Sequence, residues 1–166
     1  MENLAVPTPV TLRPYRPADL PEMIRLFRQT VHTVNIRDYT PEQVAAWAPE
    51  LIDVGRWTTK LAAQEAVIAE HEGQVAGFCS WDATGYIDLL YVHHTHQRQG
   101  IAALLLAEAE KALRLRGLTR LHTQASVTAQ PFFLRQGYRL IKHQLVHVRG
   151  VDLPNAVMEK ALSLGA

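Results

Sequence analysis

Apolar and polar positions along this chain follow two rhythms. Val10-Thr11-Leu12-Arg13-Pro14-Tyr15 alternates with the period of two that marks a strand. Pro17-Ala18-Asp19-Leu20-Pro21 then opens a helix with Asp19 in the N-cap position, and Met23, Leu26, Phe27 and Val31 recur at helical spacing. Thr40-Pro41-Glu42-Gln43 predicts a second helix, with Thr40 as N-cap, Pro41 in the first helical position and Gln43 closing a capping box. It stops near Ala48-Pro49, and a third short helix is expected over 56–63.

A strand-rich stretch follows. Residues 65–71 and 75–81 read as a hairpin around Glu72-Gly73-Gln74, and Asp82-Ala83-Thr84-Gly85 turns the chain into a central strand over 86–92. The next helix is expected over 100–115. Its buried stripe is Ile101, Leu105, Ala109 and Ala112, with Leu104 at the margin, Glu108 facing out and Gly117 suited to a left-handed C-cap. A strand over 118–124, a helix over 128–136 and strands over 138–148 and 155–160 complete the pattern.

Residues 1–9, with Pro7 and Pro9, read as a loose tail before a single domain over 10–166. The net charge of +1 argues against a nucleic-acid or membrane surface as partner. The one cysteine, Cys79, excludes an internal disulfide, fits a reducing compartment and sits on an apolar strand as a core thiol. No apolar run reaches the roughly 18 residues of a membrane span, and no leader pattern opens the chain, so a cytoplasmic location is expected.

Chemistry concentrates in Leu90-Tyr91-Val92-His93-His94-Thr95-His96-Gln97-Arg98-Gln99-Gly100-Ile101-Ala102-Ala103, a buried strand, a short loop and a helix start. A helix N-terminus offers unpaired N–H groups and the positive end of the macrodipole, which suits an anion. Gly100 carries no Cβ to stand between those amides and a phosphate, and Gln97, Arg98 and Gln99 surround the turn. The segment reads as a diphosphate cradle. Neither Gly-x-Gly-x-x-Gly nor Gly-x-x-x-x-Gly-Lys-Ser/Thr occurs, so dinucleotide and P-loop readings find no support. His93, His94 and His96 lie together on this loop without ligands from elsewhere in the chain and read as rim or phosphate contacts rather than a metal site.

Gln97-x-x-Gly100-x-Ala102 after Leu-Tyr-Val resembles the acyl-CoA-binding motif of the GNAT superfamily of N-acetyltransferases. Ala129-Gln130-Pro131-Phe132-Phe133-Leu134-Arg135-Gln136-Gly137-Tyr138 resembles its second hallmark, a short helix ending in Gly-Phe or Gly-Tyr. The resemblance covers almost the whole chain. It implies an α/β (α+β) fold of order β-α-α-β-β-β-α-β-α-β-β, with a mixed, mostly antiparallel sheet of about seven strands and helices on both faces. It also implies direct acetyl transfer from acetyl-CoA to an amine without a metal. The pantetheine would pair with the backbone of Leu90, Tyr91 and Val92. The diphosphate would meet the amides of Arg98, Gln99, Gly100, Ile101, Ala102 and Ala103, and Ser126, Phe132 and Phe133 would border the cofactor. Many relatives place a proton-donating tyrosine where Phe133 stands. Tyr138 is then a substitute donor in principle, and water is another. Arg135 either approaches the adenosine phosphate or is surface charge.

For the base, alternation puts Tyr86, Asp88 and Leu90 on one face, and a carboxylate on a central strand must be paired or functional. Asp88 is the first candidate, and His32, late in the first helix, is the second. The stretch from Thr30 to Pro49 resembles a bacterial subgroup of the same family whose substrates are poorly defined. By that resemblance His32, Asn35, Tyr39 and Trp47 border an acceptor pocket together with Tyr86, although Trp47 and Tyr39 also read as helix-packing core. The favoured acceptor is the primary amine of a small molecule. An acyl-CoA-binding regulatory module with little turnover and a protein or peptide N-acetyltransferase are the alternatives. Relatives often pair as homodimers, which the resemblance carries over as an expectation.

Overall fold

The structure, a computed structural model, describes residues 9–163, so the expected tail lies outside the described residues except for Pro9, which is exposed. The elements are β1 (Thr11–Pro14), α1 (Leu20–Thr33), α2 (Pro41–Trp47), α3 (Val54–Ala62), β2 (Glu65–His71), β3 (Gln74–Trp81), β4 (Tyr86–Val92), α4 (Ile101–Leu115), β5 (Arg120–Ser126), α5 (Gln130–Arg135), β6 (Arg139–Val148) and β7 (Val151–Ala161). They form one seven-stranded mixed sheet of order β1-β2-β3-β4-β5-β7-β6, antiparallel throughout except where β4 meets β5. Three helices rather than two separate β1 from β2, because Asp53 caps a third helix by accepting the N–H of Arg56 at 3.0 Å. The last strand begins at Val151 rather than 155 and pairs with β6 along its whole length. Among the described residues, no helix is long and apolar enough to cross a membrane.

The sheet is covered on both faces. Ile101, Leu105, Leu106, Ala109 and Leu113 of α4 pack with Phe133 and Tyr138 on one side, and Met23, Leu26, Phe27 and Val31 of α1 pack with Phe78 and Leu89 on the other. The stripe on α4 runs through Leu106 and Leu113 where Ala112 was expected; Ala112 is only half-buried. The larger apolar residues fill the groove against the sheet, and the alanine beside them sits at its edge.

One irregularity in β4 positions everything that follows. Ser80 of β3 faces Leu89 and Trp81 faces Ile87, so Asp88 is an extra residue in the ladder. The bulge turns Asp88 and Leu89 toward the same side. Leu89 and Tyr91 then pack with α1, whereas Ile87, Leu90 and Val92 pack with the α4 layer. The expected grouping of Leu90 with Tyr86 and Asp88 therefore fails at Leu90, because alternation cannot carry a face across a bulge. Beyond the bulge β4 and β5 also part. Their parallel pairing covers only Tyr86↔His122 and Ile87↔Thr123, and Thr123 Oγ1 donates to the Ile87 carbonyl at 2.9 Å. Gly85, at φ +90, lets the strands approach there, since a Cβ would stand 2.7 Å from the Arg120 carbonyl oxygen.

Asp19 holds the expected N-cap position of α1, but its side chain makes no capping hydrogen bond to the helix. Its carboxylate accepts the Arg16 N–H at 2.8 Å and both guanidinium nitrogens of Arg13 at 2.7 and 2.9 Å, tying the end of β1 to the start of α1. The Arg13 guanidinium holds the Asp19 carboxyl below the ordinary carboxylate range. A depressed carboxyl stabilises the fold above about pH 4 and loses that contribution as pH falls through its folded value. Asp19→Asn is expected to cost about 2 kcal/mol at neutral pH, with the difference from wild type closing in acid. Urea unfolding of both proteins at pH 7 and pH 3 measures this, and an equal gap at the two pH values contradicts it.

Candidate active site

The gap between β4 and β5 opens into a cleft of about 770 Å³ that runs from the α4 N-terminus past Leu90 and Val92 to Phe132. His93 N–H donates to Ala76 of β3, so the alternation of the ladder turns the backbone groups of Leu90 and Val92 toward the gap. The Val92 carbonyl is already taken, accepting from Thr30 Oγ1 at 3.1 Å and Gln97 Nε2 at 2.7 Å. Leu90 and the Val92 N–H have no strand partner on that side, which is what an extended ligand pairing by main-chain hydrogen bonds requires.

The cradle forms at the far end of the cleft. Arg98 and Gly100 both hold left-handed backbone, at φ +61 and +79, and curl the loop into the first turn of α4. The first intrahelical bond runs from Leu104 N–H to the Gly100 carbonyl, leaving the N–H groups of Ile101, Ala102 and Ala103 without helix partners. Nothing lies within 4 Å of the position a Gly100 Cβ would take, so the space before these amides is open. Arg37, Arg98 and Arg135 line the same cleft, and Asp88 is its one acidic residue. Open amides, a helix N-terminus and three guanidinium groups fit a polyanionic cofactor.

A second cavity of about 320 Å³ lies across β4, between α2, α3 and the β6–β7 hairpin. Trp47, Asp88, Tyr91, Gln124 and Ser126 line both cavities, so the two meet at the bulge. Asp88 Oδ2 receives Lys60 Nζ at 3.0 Å and Gln64 Nε2 at 2.8 Å. Both partners land on one oxygen, and Oδ1 has no partner among the described residues. The Tyr91 hydroxyl is pushed up well above the ordinary phenol range by burial. It therefore carries its proton at neutral pH. Burial also raises Tyr86, to about 12.

The remaining expected residues fall into two groups. Ala102, Ala103, Ser126, Phe132 and Phe133 line the cofactor cleft, as do Asn35, Arg135 and His96. Ser126 Oγ also accepts the Ala129 N–H at 3.1 Å, fixing the turn into α5. Tyr39 and Tyr86 line the second cavity, but the Tyr39 hydroxyl is fully engaged, donating to the Pro154 carbonyl at 2.6 Å and accepting from Val127 N–H at 2.9 Å.

His32 does not reach either cavity. It is exposed on α1, where its Nε2 lies 2.7 Å from the Ala48 carbonyl and pins the end of α2. Gln99 lies outside the cleft, because the left-handed turn at Gly100 directs the chain past it. Gln97 lines the cleft, and its Nε2 donates to the Val92 carbonyl at 2.7 Å, which shapes the loop. Tyr138 lies in neither cavity; its hydroxyl donates to Glu110 at 3.2 Å within the α4 layer. Sequence reasoning missed Lys60, Arg149, Asn155 and the hydroxyl of Tyr91. Lys60, Arg149 and Asn155 sit in no motif and come from α3, the β6–β7 turn and β7, and the Tyr91 side chain reaches the site through the bulge.

The acetyltransferase (GNAT) domain matches residues 35–160 of the chain. YafP, an N-acetyltransferase of Escherichia coli K12, is 36% identical over 149 residues, covering 90% of this chain and 94% of that protein. A GCN5-related N-acetyltransferase from Rhodopseudomonas palustris superposes with a TM-score of 0.90 at 32% identity, covering 95% of this chain and 98% of the other. PaiA N-acetyltransferase from Thermoplasma acidophilum, solved in complex with coenzyme A, superposes with a TM-score of 0.77 at 17% identity, covering 93% and 99%. The chain belongs to the GNAT family of N-acetyltransferases.

Proposed function

We propose that the protein moves an acetyl group from acetyl-CoA directly onto the primary amine of a small molecule. The observation that carries this reading is the meeting of two cavities at Asp88 and Tyr91. One cavity is long and edged by free backbone and guanidinium groups. The other is compact, and its volume of about 320 Å³ suits a small-molecule acceptor better than a protein chain. The bound coenzyme A in the Thermoplasma relative supports assigning the longer cleft to the cofactor.

In this reading the α4 amides and Arg98 hold the diphosphate, and Leu90 and Val92 pair with the pantetheine. Backbone N–H groups at the bulge polarise the thioester carbonyl. Asp88 Oδ1 takes the proton of the acceptor ammonium, directly or through one water. The amine nitrogen then bonds to the acetyl carbon as the carbon–sulfur bond breaks, and the Tyr91 hydroxyl protonates the departing sulfur so that coenzyme A leaves as a free thiol. The second proton of the nitrogen returns through water to the Tyr91 oxygen, and the proton on Asp88 passes to solvent. Trp47 lines both cavities beside Tyr91. Phe133, buried against Phe132 and Tyr138, shapes the cleft.

Two experiments test this assignment. Calorimetric titration should show acetyl-CoA binding lost in Gly100→Glu, which places a carboxylate in the cradle, and weakened by about tenfold in Gly100→Ala, which adds only left-handed strain. Unchanged binding in both variants contradicts the cradle. In thiol-release assays over an amine panel, Asp88→Asn and Tyr91→Phe should each lower kcat by about 10²-fold or more while retaining acetyl-CoA binding. His32→Gln should stay within about twofold of wild type, as a surface substitution away from the site. Full turnover in Asp88→Asn, or loss of it in His32→Gln, reverses the assignment of the base.

A further inference from the structure

The acceptor cavity carries more positive than negative charge, and that charge is arranged along its depth. Three cations, Arg56, Lys60 and Arg149, line it against two carboxylates, Asp53 and Asp88. Lys60 is paired with Asp88 at the inner end, and Asp53 Oδ1 caps α3 by accepting the Arg56 N–H. The Arg56 side chain makes no ion pair or hydrogen bond among the described residues and stands exposed at the mouth. Opposite it, Arg149 occupies the β6–β7 turn at φ +46, a conformation that side chains other than glycine, asparagine and aspartate seldom hold. One of its nitrogens, Nη1, donates to the Ala46 carbonyl at 2.7 Å and anchors the guanidinium across the mouth. At the inner end, Asn155 Oδ1 is buried with no hydrogen-bond partner, beside Ser126 in the β5–β7 ladder. A buried acceptor without a donor is costly in an isolated fold and is satisfied when a ligand brings the missing N–H.

We propose that the acceptor is an amine that also bears an acidic group, an aminocarboxylate or its phosphonate counterpart. Its ammonium enters first, toward Asn155 Oδ1 and Asp88, and its anionic group stays at the mouth between Arg56 and Arg149. Phe27, Trp47 and Trp57 wall the space between and favour an apolar body. This inference rests on the amine-transfer reading above and adds the second recognition element. Guanidinium groups suit the task because their fork matches a carboxylate or phosphonate in two parallel hydrogen bonds.

The test compares matched pairs, apolar α- and ω-amino acids against their carboxamides, by thiol release with acetyl-CoA and with rates corrected to the free-amine form. In at least one pair the acid should exceed its amide in kcat/KM by about tenfold or more. Arg56→Gln should remove most of that preference through KM, and Arg56→Lys should restore part of it; calorimetric binding of acetyl-CoA confirms that each variant is folded. Arg149→Gln provides the second arm. Equal use of acids and amides, or an acid preference untouched by both glutamine variants, overturns this inference while leaving amine transfer standing. Failure to acetylate any amine, neutral or acidic, overturns both.

Discussion

The site depends on one break in an otherwise regular sheet. A strand in mid-sheet normally spends its backbone groups on two neighbours. Here β4 keeps β3 along its length but gives up β5 after two residue pairs. The extra residue at Asp88 makes this possible. It shifts the alternation by one, so that Asp88, Leu89 and Tyr91 all serve the α1 side while Leu90 and Val92 serve the other. Without the bulge, Asp88 and Tyr91 would point to opposite faces, and the two cavities would share no titratable pair. The unpaired edge that a folded protein usually hides becomes the place where a ligand can complete the sheet.

That edge is stabilised from within. The Val92 carbonyl is held by Thr30 and Gln97, two donors far apart in sequence. They tie the end of β4 to α1 and to the cradle loop, so the loop is braced before any anion reaches it. Preorganised amides need no reorganisation when a charged ligand arrives. The left-handed Arg98 stores strain in this loop, a placement that only a well-braced loop sustains, whereas Gly100 holds its left-handed backbone without that cost.

Most of the fold is legible in the chain because local signals agree with the global arrangement. The capping box at Thr40 and Gln43, the hairpin around Gly73 and the left-handed Gly117 each act over three or four residues and appear where their residue types predict. Gly100 and the helix start after it belong to the same class, which is why the cofactor end of the site is readable. The acceptor end is not, because its residues arrive from α2, α3, β5, β7 and a hairpin turn with no common motif. Leu90 shows the limit most clearly. Period-two alternation is a sound rule, yet a single inserted residue reverses it, and nothing in Tyr86-Ile87-Asp88-Leu89-Leu90 announces the insertion. His32 fails for another reason: its helical position is right, but its ring turns outward to hold Ala48.

The location of the proton donor follows from the same geometry. A hydroxyl at position 133 would lie on the α4 side of the sheet, where Phe133 now packs against Tyr138. The cavity proposed for the acceptor lies on the opposite side, with Asp88. With Phe133 supplying only bulk, the donor proposed for the departing sulfur is a group that reaches the gap from that side. Tyr91 is on that side because the bulge put it there. The proposed base and acid then sit three residues apart on one strand, with Asp88 unpaired at one carboxylate oxygen among the described residues. The cost of this economy is that their shared side depends on a single backbone irregularity, so a change that straightened β4 would turn Asp88 and Tyr91 to opposite faces of the sheet.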